Sequence, residues 1–226
     1  MIKKYIKNKI SKKEKIWCVL IDPDKLHFDD VGNLVSLTNK CSCDFILLGG
    51  SLINHEKFSE YAKLITNVST KPVIIFPGDN QQITKYADGL FLLSLISGRN
   101  SDLLIGQHVK SAFKIKATNL EILPCGYMLI EGDNLTSAIY ISESLPIPKD
   151  KFDIAAATAL AGEQLGLQFI YLDKGSGAKF TVQNEMIKSV KQVISIPLIV
   201  GGGINSQEDL ENVWNCLLYT SPSPRD

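Results

Sequence analysis

Along the chain, short apolar runs alternate with longer stretches in which apolar residues recur every three or four positions. The first pattern suits a strand buried on both faces, and the second a helix with one buried stripe. The runs predict strands over residues 16–21, 44–48, 72–76, 89–93, 120–130, 168–172 and 197–200. The periodic stretches predict helices over residues 29–40, 54–67, 81–86, 102–114, 154–165, 182–193 and 207–214. The lysine-rich residues 1–15 read as a short basic helix packed across one barrel end. Pro146 and Pro148 lie in a long connection ahead of the alanine-rich helix.

Strands that alternate with helices predict a parallel sheet of βα units. Seven such units point to an α/β fold of the (β/α)8 TIM-barrel type, truncated after its seventh βα unit. Residues 1–215 are expected to form that single, incomplete domain. A doubly wound open sheet would place a G-x-G-x-x-G turn after the first strand. Asp22-Pro23-Asp24-Lys25 stands there instead. Residues 216–226, CLLYTSPSPRD, are identified as one translated frame of a transposase sequencing adapter and are set apart from fold reasoning.

Composition changes this picture little. The chain has 226 residues, 45% hydrophobic and 21% charged, which is enough to build a large core. Lysine plus arginine equals aspartate plus glutamate at 24 each, so no global field favours nucleic acid or an anionic membrane. Any phosphate binding must come from local sites. The five cysteines lack paired CxxC spacing, and His27, His55 and His108 are scattered, so a zinc site is not expected. Reduced thiols in a cytoplasmic protein are the simplest reading. No apolar run is long enough to span a bilayer.

In a barrel of this type, chemistry belongs to the loops at the C-terminal ends of the strands. After the first strand, Asp22 and Asp24 flank Pro23. They could hold a hard divalent cation, or form a turn that caps the next helix. After the second strand, Gly49-Gly50-Ser51 offers close backbone approach and a hydroxyl for metal or phosphate, or a turn with Ser51 as a helix cap. Arg99, after the fourth strand, could meet a diphosphate or serve as a surface ion-pair partner. The richest stretch follows the sixth strand. Tyr171 and Asp173 lie two apart, so their side chains share one face, and Gly175-Ser176-Gly177 can wrap backbone N–H groups around a phosphate. Gly201-Gly202-Gly203-Ile204 follows the seventh strand and leads into a helix N-terminus, a second anion site.

Taken in order, these strings resemble the geranylgeranylglyceryl-phosphate synthase family. The matching residues are Ile21-Asp22-Pro23-Asp24-Lys25, Gly49-Gly50-Ser51, Phe76-Pro77-Gly78 and Ser94-Leu95-Ile96-Ser97-Gly98-Arg99-Asn100. Ile105-Gly106-Gln107-His108, Thr158-Ala159-Leu160-Ala161-Gly162-Glu163, residues 171–178 and Val200-Gly201-Gly202-Gly203-Ile204 complete the set. The resemblance covers residues 16–214. It leans toward the branch of some archaea and Bacteroidetes-type bacteria, because Leu20 stands where the Bacillus-type branch carries a lysine.

The resemblance implies an Mg²⁺-dependent prenyltransferase that joins a long prenyl diphosphate, such as geranylgeranyl diphosphate, to sn-glycerol-1-phosphate and releases diphosphate. It implies that Asp22 and Ser51 bind Mg²⁺. It also implies that Tyr171, Leu172, Asp173, Lys174, Gly175, Ser176, Gly177, Gly202 and Gly203 bind the glycerol phosphate, with Asp173 and Tyr171 catalytic. Phe76, Leu95 and Ile96 are candidates for lining a prenyl groove, or are ordinary core. Lys174 stands where the family usually has a small residue, and the family's final phosphate loop, after an eighth strand, is absent. A homo-oligomer, dimer or hexamer, and transient membrane contact are further implications. Another phosphate-binding barrel enzyme (an isomerase or lyase) and a non-catalytic phosphometabolite binder are the alternatives.

Overall fold

The computed structural model describes residues 1–53 and 57–218. Seven parallel strands alternate with helices, and the strand order in the sheet is the order in the chain. This is the alternation expected of a (β/α)8-type chain carrying seven units. The residues group into two compact units, Met1–Leu93 with Ile105–Leu123, and Ser94–Leu104 with Pro124–Asp226. Strands β4 (Gly89–Leu95) and β5 (Glu121–Leu129) contribute residues to both.

The first unit opens with the predicted basic helix, α1 (Ile2–Ser11). The first N–H groups of a helix have no partner within it. Here the Glu121 carboxylate accepts from the amino terminus and from the backbone N–H groups of Ile2 and Lys3. Burial works against the charge on Glu121. The donors outweigh it and hold the carboxyl below its ordinary pKa. Ile2 and Ile6 are buried, and Tyr5 and Lys9 both reach the Asp44 carboxylate, at 2.6 and 3.0 Å. A Cβ at Gly89 would lie 2.6 Å from Ile2 Cδ1, so β4 opens on glycine to make room for the helix.

Strands β1 (Cys18–Ile21), β2 (Phe45–Leu48), β3 (Val73–Ile75) and β4 (Gly89–Leu95) pair in parallel, with Ile21 opposite Leu48 and Leu48 opposite Ile75. All of β2 is buried, as its unbroken apolar run requires. Helix α2 (Val31–Lys40) contributes Val31 and Val35 to the core. Helix α3 (Phe58–Val68) contributes Phe58, Tyr61, Ala62 and Ile65, at helical spacing. The predicted start of α3, Asn54 to Glu56, lies outside the described residues.

Residues 81–86 form turns rather than the expected short helix. Side chains there take the backbone donors a helix would use: Asp79 accepts from the N–H groups of Gln81 and Gln82, and Thr84 from Tyr86. A π-helical turn, Asp102–Gly106, leads into α4 (Gln107–Lys116).

In the second unit β5 (Glu121–Leu129), β6 (Phe169–Asp173) and β7 (Leu198–Gly201) are parallel. Their register sets Tyr127 beside Tyr171, Leu129 beside Asp173, and Asp173 beside Gly201. The long connection after β5 contains a helix not foreseen, α5 (Ser137–Ser142), capped by the Thr136 hydroxyl. It is too short to show a periodic stripe. Helix α6 (Phe152–Gln164) buries Ala155, Ala156, Ala159 and Gly162, and these small residues let α7 (Asn184–Val193) pack against it. Met186, Ile187 and Val190 of α7 join Ile170 and Leu172 in one core. Helix α8 (Gln207–Leu218) runs past the expected end at Trp214. Cys216 is buried in that core, and Leu217 packs on it. The first residues of the string read as adapter therefore continue the helix, while 219–226 lie outside the described residues.

Candidate active site

The end of β6 carries the acidic group of the second unit. Asp173 is buried at the strand end. One carboxylate oxygen accepts from the Tyr127 hydroxyl at 2.5 Å, and the other from the Gly175 N–H at 2.7 Å. Burial raises the Asp173 pKa above its ordinary value, while the two donors pull it down. Burial and the neighbouring carboxylate push Tyr127 far up, so this phenol keeps its proton and acts as the donor.

Tyr127 is absent from the sequence reading. It sits inside an apolar run, and only the β5–β6 register shows that it shares a face with Tyr171, whose ring centroid is 5.7 Å away. Tyr171 in turn lies over β7. A Cβ at Gly201 would stand 2.1 Å from its hydroxyl oxygen, so glycine at 201 is what seats Tyr171.

The two glycine clusters meet beside this pair. Gly175, Gly177, Gly202 and Gly203 all have φ between +68° and +83°, a region that strains other residues. A Cβ at Gly202 would lie 2.7 Å from the Gly175 nitrogen, and one at Gly175 would lie 2.6 Å from Thr136 Cγ2. The Lys174 N–H donates to the Gly201 carbonyl at 3.2 Å, joining the two loops. Leu172 is fully buried with its side chain in the hydrophobic core, so it can offer a ligand only its backbone. Turns of consecutive glycines with positive φ expose backbone N–H groups to one side, which suits a phosphate.

The start of α8 carries an acidic side chain of its own. Asp209 takes the N–H groups of Asn205 and Ser206 at 3.0 and 2.9 Å, and the Ser206 hydroxyl at 2.8 Å. The hydrogen bonds from Ser206 and Asn205 lower its pKa. Asp209 thus takes part of the hydrogen-bonding capacity at this helix N-terminus.

In the first unit the loops after β1, β2 and β3 come together. Asp22 caps a 3-10 turn, Pro23–Lys25, with Oδ1 accepting from the Asp24 N–H at 3.2 Å and Oδ2 facing Lys25 Nζ at 3.2 Å. A Cβ at Gly50 would lie 3.0 Å from Asp22 Oδ1, and one at Gly78 would lie 2.3 Å from the Gly50 carbonyl oxygen. Gln82, buried, ties these loops: its amide donates to the Gly50 carbonyl at 2.9 Å and accepts from the Gly78 and Gly50 N–H groups at 3.1 and 3.4 Å. No pattern in the sequence marks Gln82, because it acts through backbone groups, two of them on Gly50 far back along the chain.

Among the described residues no three His, Cys, Asp or Glu side chains cluster as a metal cage. One carboxylate pressed on Gly50, followed by Ser51, is nevertheless a donor set that suits Mg²⁺, which takes most of its shell from phosphate oxygens and water. Lys25, two-thirds exposed, already pairs with Asp22 and can swing out to solvent.

Among the described residues Arg99 forms no ion pair. Its guanidinium donates to the carbonyls of Gly98 and Ile96 in its own loop. Leu95 is buried, and Ile96 packs on the core over Gly126 and Gly162, so both are core rather than groove. Phe76 is half-buried, edge-on to Phe91. The cysteines are free, with Cys18 pushed up to about 12 by burial.

A family model described as the PcrB family matches residues 8–216. The geranylgeranylglyceryl phosphate synthase of Spirosoma linguale is 50% identical over 194 residues, covering 86% of this chain and 78% of that protein. Among solved structures, the wild-type GGGPS of Thermoplasma volcanium superposes with a TM-score of 0.83 at 28% identity, covering 94% of each chain. The (S)-3-O-geranylgeranylglyceryl phosphate synthase of Thermoplasma acidophilum, solved in complex with its substrate sn-glycerol-1-phosphate, gives 0.85 at 26% identity. That match covers 96% of this chain and 98% of that one.

Proposed function

The chain belongs to the PcrB family, and from that premise we propose that it is a prenyltransferase joining geranylgeranyl diphosphate, or a similar long prenyl diphosphate, to sn-glycerol-1-phosphate. The observation that carries this reading is the buried Asp173 carboxylate, held between Tyr127 and Gly175 at the edge of a glycine-lined phosphate cradle. A base beside a phosphate seat is what an acceptor bearing both a phosphate and a nucleophilic hydroxyl requires.

Gly175, Ser176, Gly177, Gly202 and Gly203 hold the glycerol phosphate, with Lys174 beside them. Tyr171 borders the acceptor. Asp173 orients the glycerol hydroxyl and takes its proton as the oxygen bonds to the allylic carbon and the carbon–diphosphate bond breaks. Tyr127 keeps Asp173 aimed and partly offsets the cost of its buried charge. Asp22 and Ser51 are the residues that would hold Mg²⁺. When bound, the ion supplies counter-charge to the leaving diphosphate. The product is the ether-linked geranylgeranylglyceryl phosphate, which sets the reaction in ether-phospholipid biosynthesis. The relatives support the reaction class; the donor set at Asp22 and Ser51 supports the metal.

A homo-oligomer, transient contact with a membrane during exchange of greasy substrates, and a cytoplasmic setting belong to the same reading. The free thiols are compatible with a reducing compartment. Among the described residues no helix is long and apolar enough to cross a membrane.

The test is a prenyl-transfer assay with geranylgeranyl diphosphate and either enantiomer of glycerol phosphate, with and without EDTA. It is run on this chain and on a version in which an eighth βα unit follows Asn215. Product from the 1-phosphate alone is expected, and EDTA should abolish it. No product from either folded protein overturns the activity, and EDTA-resistant product overturns the metal alone.

A further inference from the structure

Lys174 is a buried cation, 4% exposed, whose ammonium group donates to the Thr181 carbonyl at 3.3 Å. Among the described residues it has no carboxylate partner. A buried charge with a single neutral acceptor is costly unless something else compensates it.

A second group nearby is in the same position. The Thr181 hydroxyl oxygen is buried and has no hydrogen-bond partner among the described residues. Both residues adjoin the glycine turns through their backbones. The Lys174 backbone touches Gly202, and a Cβ at Gly203 would stand 2.7 Å from the Thr181 nitrogen.

A lone cation, an orphan hydroxyl and two turns of positive-φ glycine lack one thing in common, an anion. A phosphate group accepts hydrogen bonds from all of them, with the charge-assisted bond from lysine the strongest. From this we infer that Lys174 and Thr181 form a charged wall of the phosphate seat. The acceptor's phosphoryl group is then selected by a lysine and a threonine side chain as well as by backbone N–H groups. The inference rests on the cradle being the glycerol-phosphate seat and adds two side-chain ligands to it. It also accounts for Lys174 standing where a small residue is usual: the ammonium adds counter-charge, which favours a dianionic phosphate over an uncharged polyol.

The test uses Lys174→Met, Lys174→Arg and Thr181→Val. Binding of inorganic phosphate and of sn-glycerol-1-phosphate is measured by calorimetry, beside KM, kcat and the melting temperature. Lys174→Met should weaken both ligands by roughly 10- to 100-fold, the worth of a hydrogen bond to a charged group. The effect should fall on KM more than on kcat, and Lys174→Arg should recover part of the loss. Thr181→Val, nearly isosteric, should weaken phosphate about three- to tenfold.

Unchanged phosphate affinity in a folded Lys174→Met protein with a lowered melting temperature overturns the inference and leaves Lys174 as a staple for the Thr181 loop. Lys174-dependent phosphate binding without any prenyl transfer by the unsubstituted protein would remove the proposed reaction while this inference stands. Normal turnover with a Lys174-independent KM would do the reverse.

Discussion

Tyr127 and Asp173 act as one unit, because the phenol donates to a carboxylate that burial would otherwise neutralise. Replacing Tyr127 by Phe removes that donor and lets the Asp173 pKa climb further. The acid limb of kcat/KM should therefore move to higher pH, with turnover at neutral pH reduced about tenfold. Asp173→Asn should cost about 10²–10⁴ in turnover, the usual contribution of a general base. Its effect on stability has the opposite sense. A carboxyl whose folded pKa is raised favours the folded state below its unfolded value, and that contribution is lost as pH rises through the folded value. At neutral pH the Asn variant should thus be no less stable than the parent. A pH–rate profile beside thermal melts reads both effects.

Loops and helices are tied by single side chains reaching far along the chain. Gln82 joins the loop that follows β2 to the one that follows β3 through three backbone groups. Gln82→Leu leaves those groups unsatisfied, which should cost about 1–3 kcal/mol in urea unfolding. Because Gly50 abuts Asp22, the same substitution should weaken Mg²⁺ at the site proposed there, read as a higher Mg²⁺ concentration for half-maximal activity. Helix α1 depends on Glu121 in the same way. The lowered Glu121 pKa means its stabilisation is present above the ordinary carboxyl range and is lost as pH falls through the folded value. The melting-temperature gap between the parent and Glu121→Gln should therefore be clear at pH 7 and close as the solution is acidified.

For the molecule as a whole, positive and negative residues balance at 24 each. Without a net field there is little long-range steering of anionic substrates, and only charges near the cradle act on them. Between low salt and about 0.3 M KCl, where the Debye length is shorter than at physiological salt, kcat/KM should fall by less than about tenfold. A steep log–log salt dependence in stopped-flow binding of glycerol phosphate would contradict this.

What the sequence determined by itself was the order of strands and helices and the loops that carry chemistry. Period and run length are local properties, so β2, β6, α3 and α7 stand within a few residues of expectation, and the DPD, GGS and glycine clusters fall at strand ends. Local competition was harder to read. At residues 81–86 side-chain hydrogen bonds defeated a helical pattern, and at α8 the Asp209 carboxylate takes the N–H groups of Asn205 and Ser206 ahead of the helix. The tertiary structure alone decided the partners. Tyr127 beside Asp173, Gln82 against Gly50, and Gly201 under Tyr171 each join residues from different strands or loops. Such pairs follow from strand register and loop packing, which depend on the whole buried core and leave no periodic mark on the chain.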